Sequence, residues 1–174
     1  MSVELLDTGT VHGHLHFPDG EPRGAIALTH GAGGNSDATI LQLMCDRFAE
    51  HGFLALRYDL PFRRRKPKGP PQPARAGEDR AGVADAAAAL RERHTGPILV
   101  GGVSYGGRQT SMLVSEQPRI ADALVLLSYP LHPPVSPRKP EPNICPESRC
   151  RRCSCTAPAT RSAPSTRFAP PQHW

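Results

Sequence analysis

Residues 101–107 read Gly-Gly-Val-Ser-Tyr-Gly-Gly and contain the pattern Gly-x-Ser-x-Gly with Ser104 at its centre. The apolar run at 98–100, directly before the pattern, predicts a buried strand, and the residues after it predict a helix. A serine between a strand and a helix is typical of a nucleophile elbow, a sharp turn that presents the hydroxyl at a sheet edge. Gly102 and Gly106 would let the strand and the helix pass closely. The pattern therefore predicts a reactive serine at position 104.

Strands and helices alternate on either side of this turn. Apolar runs predict four buried strands, at 25–29, 53–58, 98–100 and 123–127. Before them, an alternating run at 10–17 predicts an antiparallel hairpin strand. Helical spacing predicts three helices between them, one capped by Asn35 or Ser36, one beginning near Glu78, and one at 108–117. This order predicts an α/β fold with a mostly parallel sheet and helices on both faces. Ligands of such sheets bind beyond the carboxyl ends of the strands.

Two further segments carry specific expectations. The first predicted helix should turn one apolar stripe to the sheet, formed by Ile40, Leu41, Met44 and Phe48. Cys45 lies among these positions and is interpreted as a small buried hydrophobe. The segment 62–77 is rich in proline, arginine and lysine, which predicts a surface loop that does not pack.

The chemistry of a serine hydroxyl defines what else the site needs. A base must take its proton, and hydrogen-bond donors must hold the oxyanion that forms on the attacked carbonyl. The backbone N–H of Tyr105 is the first predicted donor. The second is predicted in the loop after strand 25–29, where Gly31 and Ala32 let the backbone approach a substrate. His30 is predicted to shape that loop by hydrogen bonding rather than to act as the base. The competing interpretation is a glycine-rich packing turn in an unrelated α/β fold.

The acid and the base of a catalytic triad are not identified in the sequence. Behind a nucleophile elbow, the acid and then the histidine follow the serine along the chain. No aspartate follows Asp122, and the remaining downstream candidates are Glu141, Glu147, His132 and His173. None of these four lies in a predicted strand or helix, so nothing would hold them within hydrogen-bond reach. The triad acid and base therefore stay unassigned.

The composition divides the chain after residue 132. Residues 1–132 hold fourteen Lys+Arg and fourteen Asp+Glu, whereas residues 133–174 hold seven basic and two acidic residues. The first segment is predicted to be a partial α/β domain that does not bind nucleic acid through a basic surface. The second has few large apolar residues, and we predict disorder there.

Three interpretations compete for residues 133–174. A zinc module would use Cys145, Cys150, Cys153 and Cys155, but their spacing is not that of paired C-x2-C sites. A basic tail could bind nucleic acid or an anionic surface. The abrupt change to Pro, Arg, Ser, Cys and Ala favours the third interpretation, a shifted reading frame through a GC-rich gene.

Neither a secretion signal nor a membrane segment is predicted. Residues 1–20 contain no apolar h-region, and no stretch approaches the ~18 apolar residues that a membrane span needs. The expectation is a cytoplasmic protein without a membrane partner.

Four motifs together resemble a known family. They are His-Gly-Ala-Gly-Gly at 30–34, Arg-Tyr-Asp-Leu-Pro-Phe-Arg-Arg at 57–64, Gly-Gly-Val-Ser-Tyr-Gly-Gly-Arg at 101–108, and Leu-Ser-Tyr-Pro-Leu-His-Pro-Pro at 127–134. Over about residues 1–134 the chain resembles a small α/β-hydrolase family related to dienelactone hydrolases. Its relatives include bacterial predicted hydrolases, a testis-expressed animal protein and a subunit of a chromatin acetyltransferase complex.

This resemblance implies specific roles. Ser104 would be the nucleophile, and the backbone around Ala32 and Tyr105 would form the oxyanion hole. The family normally continues into another strand that bears the triad aspartate in a Gly-x-x-Asp-Pro turn, and later a histidine. Neither feature is found after residue 134, which supports the interpretation of a truncated or frame-shifted chain.

The sequence thus predicts a serine hydrolase of the carboxylesterase or dienelactone-hydrolase-like class. It would act on a small ester-like substrate through an acyl-enzyme at Ser104, without a metal or cofactor. Its activity would be absent or weak because the triad acid and histidine are missing. The alternative is a non-catalytic, hydrolase-like protein-interaction module. Because the sheet would end at strand 123–127 with an unpaired edge, self-association through that edge is also expected.

Overall fold

The computed structural model describes residues 2–131. The strands are β1 Ser2–Asp7, β2 His12–Phe17, β3 Gly24–Thr29, β4 Phe53–Tyr58, β5 Ile98–Val103 and β6 Ala123–Leu127. The helices are α1 Thr39–Glu50, α2 Pro61–Arg65, α3 Ala76–Arg91 and α4 Tyr105–Glu116, with a 3-10 turn at Pro73–Arg75. The zinc, basic-tail and shifted-frame interpretations of residues 133–174 lie outside the described residues, as do the rejected triad candidates.

The six strands form one sheet in the order β1-β2-β4-β3-β5-β6. Strands β3 to β6 run parallel to their neighbours, while β2 is antiparallel to both β1 and β4. This confirms the predicted α/β class and its hairpin at the start. All six residues of the central strand β3 are buried, because sheet neighbours flank it and helices cover both its faces. Strand β1 was not predicted, since only Leu6 of its six residues is buried and its apolar pattern is weak.

The two faces of the sheet carry separate apolar cores. Ala25 and Ala27 of β3 point to the core that contains residues of α3 and of α4, such as Leu90 and Leu113. The alternate residues of β3 point to the smaller core, which consists of Ile26, Leu28, Leu41, Cys45 and Ala55. Helices therefore cover both faces, as predicted from the sequence. Cys45 is fully buried, and burial raises the pKa of its thiol to about 12. It is a packing residue, in agreement with the sequence.

The beginning of α1 differs from the prediction. The helix starts at Thr39 after Ala38, without a side-chain cap, so neither Asn35 nor Ser36 caps it. These two residues belong to the preceding loop: Asn35 Oδ1 accepts a hydrogen bond from a later backbone N–H, and Ser36 N donates to Asp59. Ile40 is 46% exposed, so it does not belong to the stripe that faces the sheet. The stripe that faces the sheet consists of the buried Leu41, Cys45 and Ala49, with Met44 and Phe48 partly buried beside it.

The segment 62–77 packs more closely than predicted. Its first residues belong to the short helix α2, in which Phe62 and Arg63 are buried. Proline is compatible with the first turn of a helix, because its missing N–H would have no partner there. Strand β6 also differs from the prediction, because its residues are exposed or half-buried rather than buried. Within residues 2–131 it pairs only with β5. No helix of residues 2–131 has the length and apolar character needed to cross a bilayer.

Candidate active site

Ser104 is the single residue between β5 and α4. Strand β5 ends at Val103 and α4 begins at Tyr105, so both elements extend further into the glycine pattern than 98–100 and 108–117. Ser104 has φ 50° and ψ −109°, a left-handed conformation that costs a non-glycine residue free energy. Its N–H donates to Leu127 O of β6 at 2.8 Å. Strain at one residue thus turns the chain from strand to helix.

The two predicted elbow glycines lie where a side chain has no space. A Cβ atom on Gly102 would be 2.9 Å from backbone atoms of Gly106 and Gly107. A Cβ atom on Gly106 would be 2.4 Å from His30 O and 2.7 Å from Thr29 Cγ2. The strand, the helix and the end of β3 therefore approach each other at backbone distance. This packing holds the turn at Ser104 in place.

The loop after β3 lies against this turn. A Cβ atom placed on Gly31 would be 3.6 Å from Ser104 Cβ and 3.4 Å from Val103 O. His30, at the start of the loop, is buried, and its Nδ1 lies 2.8 Å from Gly31 O. Leu60 N donates to its Nε2 at 3.2 Å, which leaves the proton on Nδ1. Burial lowers the pKa of His30 and favours this neutral form. His30 shapes the loop, as predicted, and both its nitrogens are occupied.

The same contacts orient the backbone of Ala32. Gly31 O accepts hydrogen bonds from His30 Nδ1 and from Gly34 N, the latter at 3.1 Å. The N–H of Ala32 belongs to that trans peptide and points away from its carbonyl. Within residues 2–131, the N–H groups of Ala32 and Tyr105 and the hydroxyl of Ser104 have no hydrogen-bond partner. The two N–H donors and the hydroxyl thus lie on two neighbouring backbone segments, the loop after β3 and the turn after β5.

The far end of the same loop is held by two charged residues of β4 and its C-terminal turn. Asp59 Oδ1 accepts from Ser36 N at 2.7 Å. The buried Arg57 donates to Ser36 O at 2.8 Å and to Asp37 Oδ1 at 2.6 Å. Its Nε donates to Nε2 of His16 at 3.0 Å. These contacts of Arg57 were not predicted from the sequence, although an arginine within an otherwise apolar strand is a signal that could have indicated them.

A buried carboxylate joins the elbow to helix α2. Asp79 of α3 is completely buried and accepts hydrogen bonds from the Tyr105 hydroxyl at 2.7 Å and from Phe62 N at 2.9 Å. The ring of Phe62 makes an edge contact with that of Tyr105, with centroids 5.6 Å apart. Burial and the Asp79 carboxylate raise the pKa of Tyr105. No role was predicted for Asp79, because this contact spans 26 residues.

A family model described as an alpha/beta hydrolase domain matches residues 22–155, which is most of the chain. The chain belongs to the α/β-hydrolase family. The match extends beyond residue 134, where the resemblance noted in the sequence ends. No curated protein sequence matches this chain significantly.

Solved structures share the fold of this chain at low sequence identity. A Thermus thermophilus protein is 21% identical with a TM-score of 0.58, covering 72% of this chain and 55% of its own. A dienelactone hydrolase from Anabaena variabilis is 18% identical with a TM-score of 0.59, covering 72% and 62%. A Xanthomonas campestris serine hydrolase described as lacking a lid is 13% identical with a TM-score of 0.58, covering 74% and 61%. The chain thus spans less than two thirds of each of these proteins.

The described part of the chain shows no triad base engaged with Ser104. Within residues 2–131, no histidine or carboxylate is hydrogen-bonded to the Ser104 hydroxyl. His30, in the neighbouring loop, is engaged through both ring nitrogens. The same residues contain no group of three or more His, Cys, Asp or Glu side chains that could hold a metal ion.

Proposed function

We propose that this chain is a serine hydrolase of the carboxylesterase or dienelactone-hydrolase-like class, with Ser104 as its nucleophile. The observation that carries the proposal is the left-handed turn at Ser104 between β5 and α4, in contact with the glycine loop after β3. This arrangement is typical of a nucleophile elbow. Family membership and the dienelactone hydrolase among the structural neighbours support the same chemistry.

The proposed reaction forms an acyl-enzyme. The Ser104 oxygen attacks the carbonyl of a small ester-like substrate and a tetrahedral oxyanion forms; the ester C–O bond then breaks, and the alcohol leaves with the proton lost from Ser104. Water afterwards hydrolyses the acyl-enzyme, which releases the acid and restores the Ser104 hydroxyl. The N–H groups of Ala32 and Tyr105 would hold the oxyanion, since both lack a partner within residues 2–131. Tyr105 N–H is at the first position of the twelve-residue helix α4, where the helix dipole favours negative charge. Gly31 would leave room for the substrate, while Gly102 and Gly106 maintain the elbow.

No residue within 2–131 is assigned as the acceptor of the Ser104 proton. Without an engaged base, the hydroxyl of Ser104 is a weak nucleophile, so we expect slow turnover if only residues 2–131 contribute to the site. An activated probe can label a correctly positioned serine even where the turnover of an ordinary ester is slow. A reactive phosphorus centre needs less assistance from a base than an ordinary ester does.

An alkyl fluorophosphonate tests the proposal on the full chain. We expect a stoichiometric adduct that is lost in Ser104→Ala and retained in Ser115→Ala. Ser115 is a suitable control because it lies exposed on α4 and is hydrogen-bonded to Met112 O at 2.8 Å. A folded protein that is not labelled would remove the hydrolase assignment. It would favour the alternative, a hydrolase-like module that binds other proteins without catalysis.

Two further expectations accompany this proposal. The equal numbers of acidic and basic residues in 1–132 support a folded body that does not bind nucleic acid. A cytoplasmic location is likewise proposed from the sequence. Fractionation of cells that express the full chain, and a binding assay with duplex DNA, would check the two expectations.

A further inference from the structure

Arg63 of α2 is a buried arginine whose hydrogen bonds go to backbone carbonyls. It is 6% exposed, and its five N–H donors match five carbonyl oxygens in number. The bonds at 2.7 to 2.8 Å go to Gly34 O, Ala32 O and Pro67 O, and those at 3.3 Å go to Lys66 O and Gly69 O. No carboxylate lies within 4.0 Å of this guanidinium among residues 2–131. Arg63 is therefore a buried cation that organises backbone.

These carbonyls belong to two segments that face each other across a cleft. The cleft has a volume of about 310 Å³, with residues 32–33 on one side and residues 67–70 on the other. Arg63 reaches both sides, since it binds carbonyls of 32 and 34 and of 66, 67 and 69. The first side continues into Gly31, which lies against Ser104. The Arg63 side chain thus bonds to both sides of the cleft, which are called its two walls below.

We propose that this cleft is the substrate-binding cleft of the hydrolase and that Arg63 is the positioning residue that fixes both of its walls. The assignment of the cleft as a substrate site rests on the proposed function of Ser104. By holding Ala32 O and Gly34 O, Arg63 fixes peptides 32–33 and 34–35, which directly follow the proposed oxyanion donor, Ala32 N–H, along the loop. By holding the 66–69 carbonyls, it keeps the opposite wall at the distance that admits a substrate. Arg63 itself touches no reacting atom.

The charged residues that line the cleft limit the class of substrate that it can bind. Arg63 and Lys68 are the charged residues that line the cleft, and no carboxylate does. Pro67 and Pro70 contribute apolar surface. A cation in the cleft would be repelled by both charged residues, while a neutral or negatively charged group would not. The cleft therefore fits esters whose bound part is uncharged or anionic.

Lysine cannot replace this arginine. A lysine ammonium offers three donors from one nitrogen, whereas the guanidinium spreads five donors over a rigid plane. Arg63→Lys retains the charge but cannot bond both walls together, and Arg63→Gln removes the charge as well. Arg64 is the matched control, because it lies on the same helix and also binds carbonyls, those of Gly9 and Thr10, away from the cleft.

Hydrogen exchange on the full chain tests the positioning role without any activity. In Arg63→Lys and Arg63→Gln, the hydrogen-bonded amides of Gly34 and Ser36 on one wall and of Lys66 on the other should exchange faster together, while those of β5 and α4 keep their wild-type rates. Arg64→Gln should leave both segments unchanged. Unchanged exchange in the Arg63 variants, or faster exchange in one wall alone, would overturn the proposal.

Labelling kinetics test the chemical part. At equal folded fraction, saturating fluorophosphonate should react with Ser104 about 10- to 100-fold more slowly in both Arg63 variants, since small displacements of reacting groups cost this much. Arg64→Gln should label at the wild-type rate. Wild-type rates in the Arg63 variants would contradict the positioning role. A wild type that is not labelled would instead reject the proposed function, and hydrogen exchange alone would then decide whether Arg63 holds the two walls.

Discussion

Gly31 and Ser104 are close neighbours: a Cβ atom built on Gly31 would be 3.6 Å from the Cβ of Ser104. This relationship joins the loop after β3 to the turn after β5. It places the proposed oxyanion loop directly beside the proposed nucleophile. The contact also identifies substitutions that separate reactivity from folding.

Replacing Gly31 by alanine should impair the site without unfolding the protein. The new methyl group would make ordinary contacts at 3.4 and 3.6 Å, and the backbone at this position is not left-handed. We expect a change of less than about 1 kcal/mol in the free energy of unfolding and at least about tenfold slower labelling of Ser104. Gly77→Ala is the control, because a Cβ atom there would meet only Arg80 Nη2 at 3.8 Å and Gly77 does not line the cleft. Equal labelling rates in the two variants would contradict the account.

Gly106→Ala should destabilise the fold itself. Its methyl group would lie 2.4 Å from His30 O, and the backbone on either side cannot move apart without disturbing β3. We expect a loss of about 1–3 kcal/mol in the free energy of unfolding, measured by urea denaturation. Gly77→Ala in α3 is the control, since a Cβ atom there has an open environment and alanine favours helices by about 1 kcal/mol. Similar effects at the two helical glycines would argue against the close strand-helix contact.

Tyr105→Phe should destabilise the protein more than an exposed tyrosine replacement does. The variant removes the hydroxyl that donates to Asp79 and leaves a buried carboxylate with one partner fewer. The expected loss is about 1–3 kcal/mol in the free energy of unfolding. The control is Tyr129→Phe, whose hydroxyl lies 2.9 Å from Ser111 Oγ at the surface. Equal stabilities of the two variants would show that Asp79 does not depend on this bond.

The free energy of unfolding should fall as the pH drops below 6.5. Burial lowers the pKa of His30, His16 and His14 in the folded protein from their ordinary value of 6.5. The unfolded chain then binds protons at a higher pH than the folded chain, so acidification favours unfolding. Full stability is expected above pH 6.5, with the loss continuing until the folded-state pKa values are passed. Urea denaturation between pH 7.5 and 5 measures this, and His16→Gln should reduce the slope. A free energy that stays constant or rises on acidification would contradict the prediction.

The outer edge of β6 should promote self-association. Within residues 2–131 this strand pairs only with β5, and Leu126 and Leu131 beside it are 37% and 83% exposed. Sedimentation velocity should show concentration-dependent association that Ala123→Lys reduces, because an edge lysine opposes strand pairing. Leu43→Lys on α1, where the leucine is 54% exposed, should not reduce it. A monomer at all concentrations would reject this role of the edge.

The elements of the fold follow from local sequence patterns. The apolar runs at 53–58 and 123–127 coincide with β4 and β6, because parallel strands carry continuous apolar sequences. Strand β1 was not predicted because Val3 and Leu5 are exposed, at 48% and 62%, so that its sequence has no buried apolar run. Its formation depends on pairing with β2, which composition does not reveal.

The site was predictable only in part, for a physical reason. The turn at Ser104 and the glycine loop have local signatures, so both were identified. The residues that hold them in place act over long sequence distances: Arg63 binds carbonyls 29 and 31 positions before it, and Asp79 binds a hydroxyl 26 positions after it. In the sequence these two residues look like ordinary surface charges. Only the folded chain shows that they are buried.

Peptide mapping of the fluorophosphonate adduct, in the native and the urea-unfolded protein, tests the central claim most directly. If the turn between β5 and α4 makes this hydroxyl reactive, native protein carries the adduct on Ser104 and unfolded protein carries none there. An adduct on another serine, or labelling of Ser104 that survives unfolding, would contradict the claim.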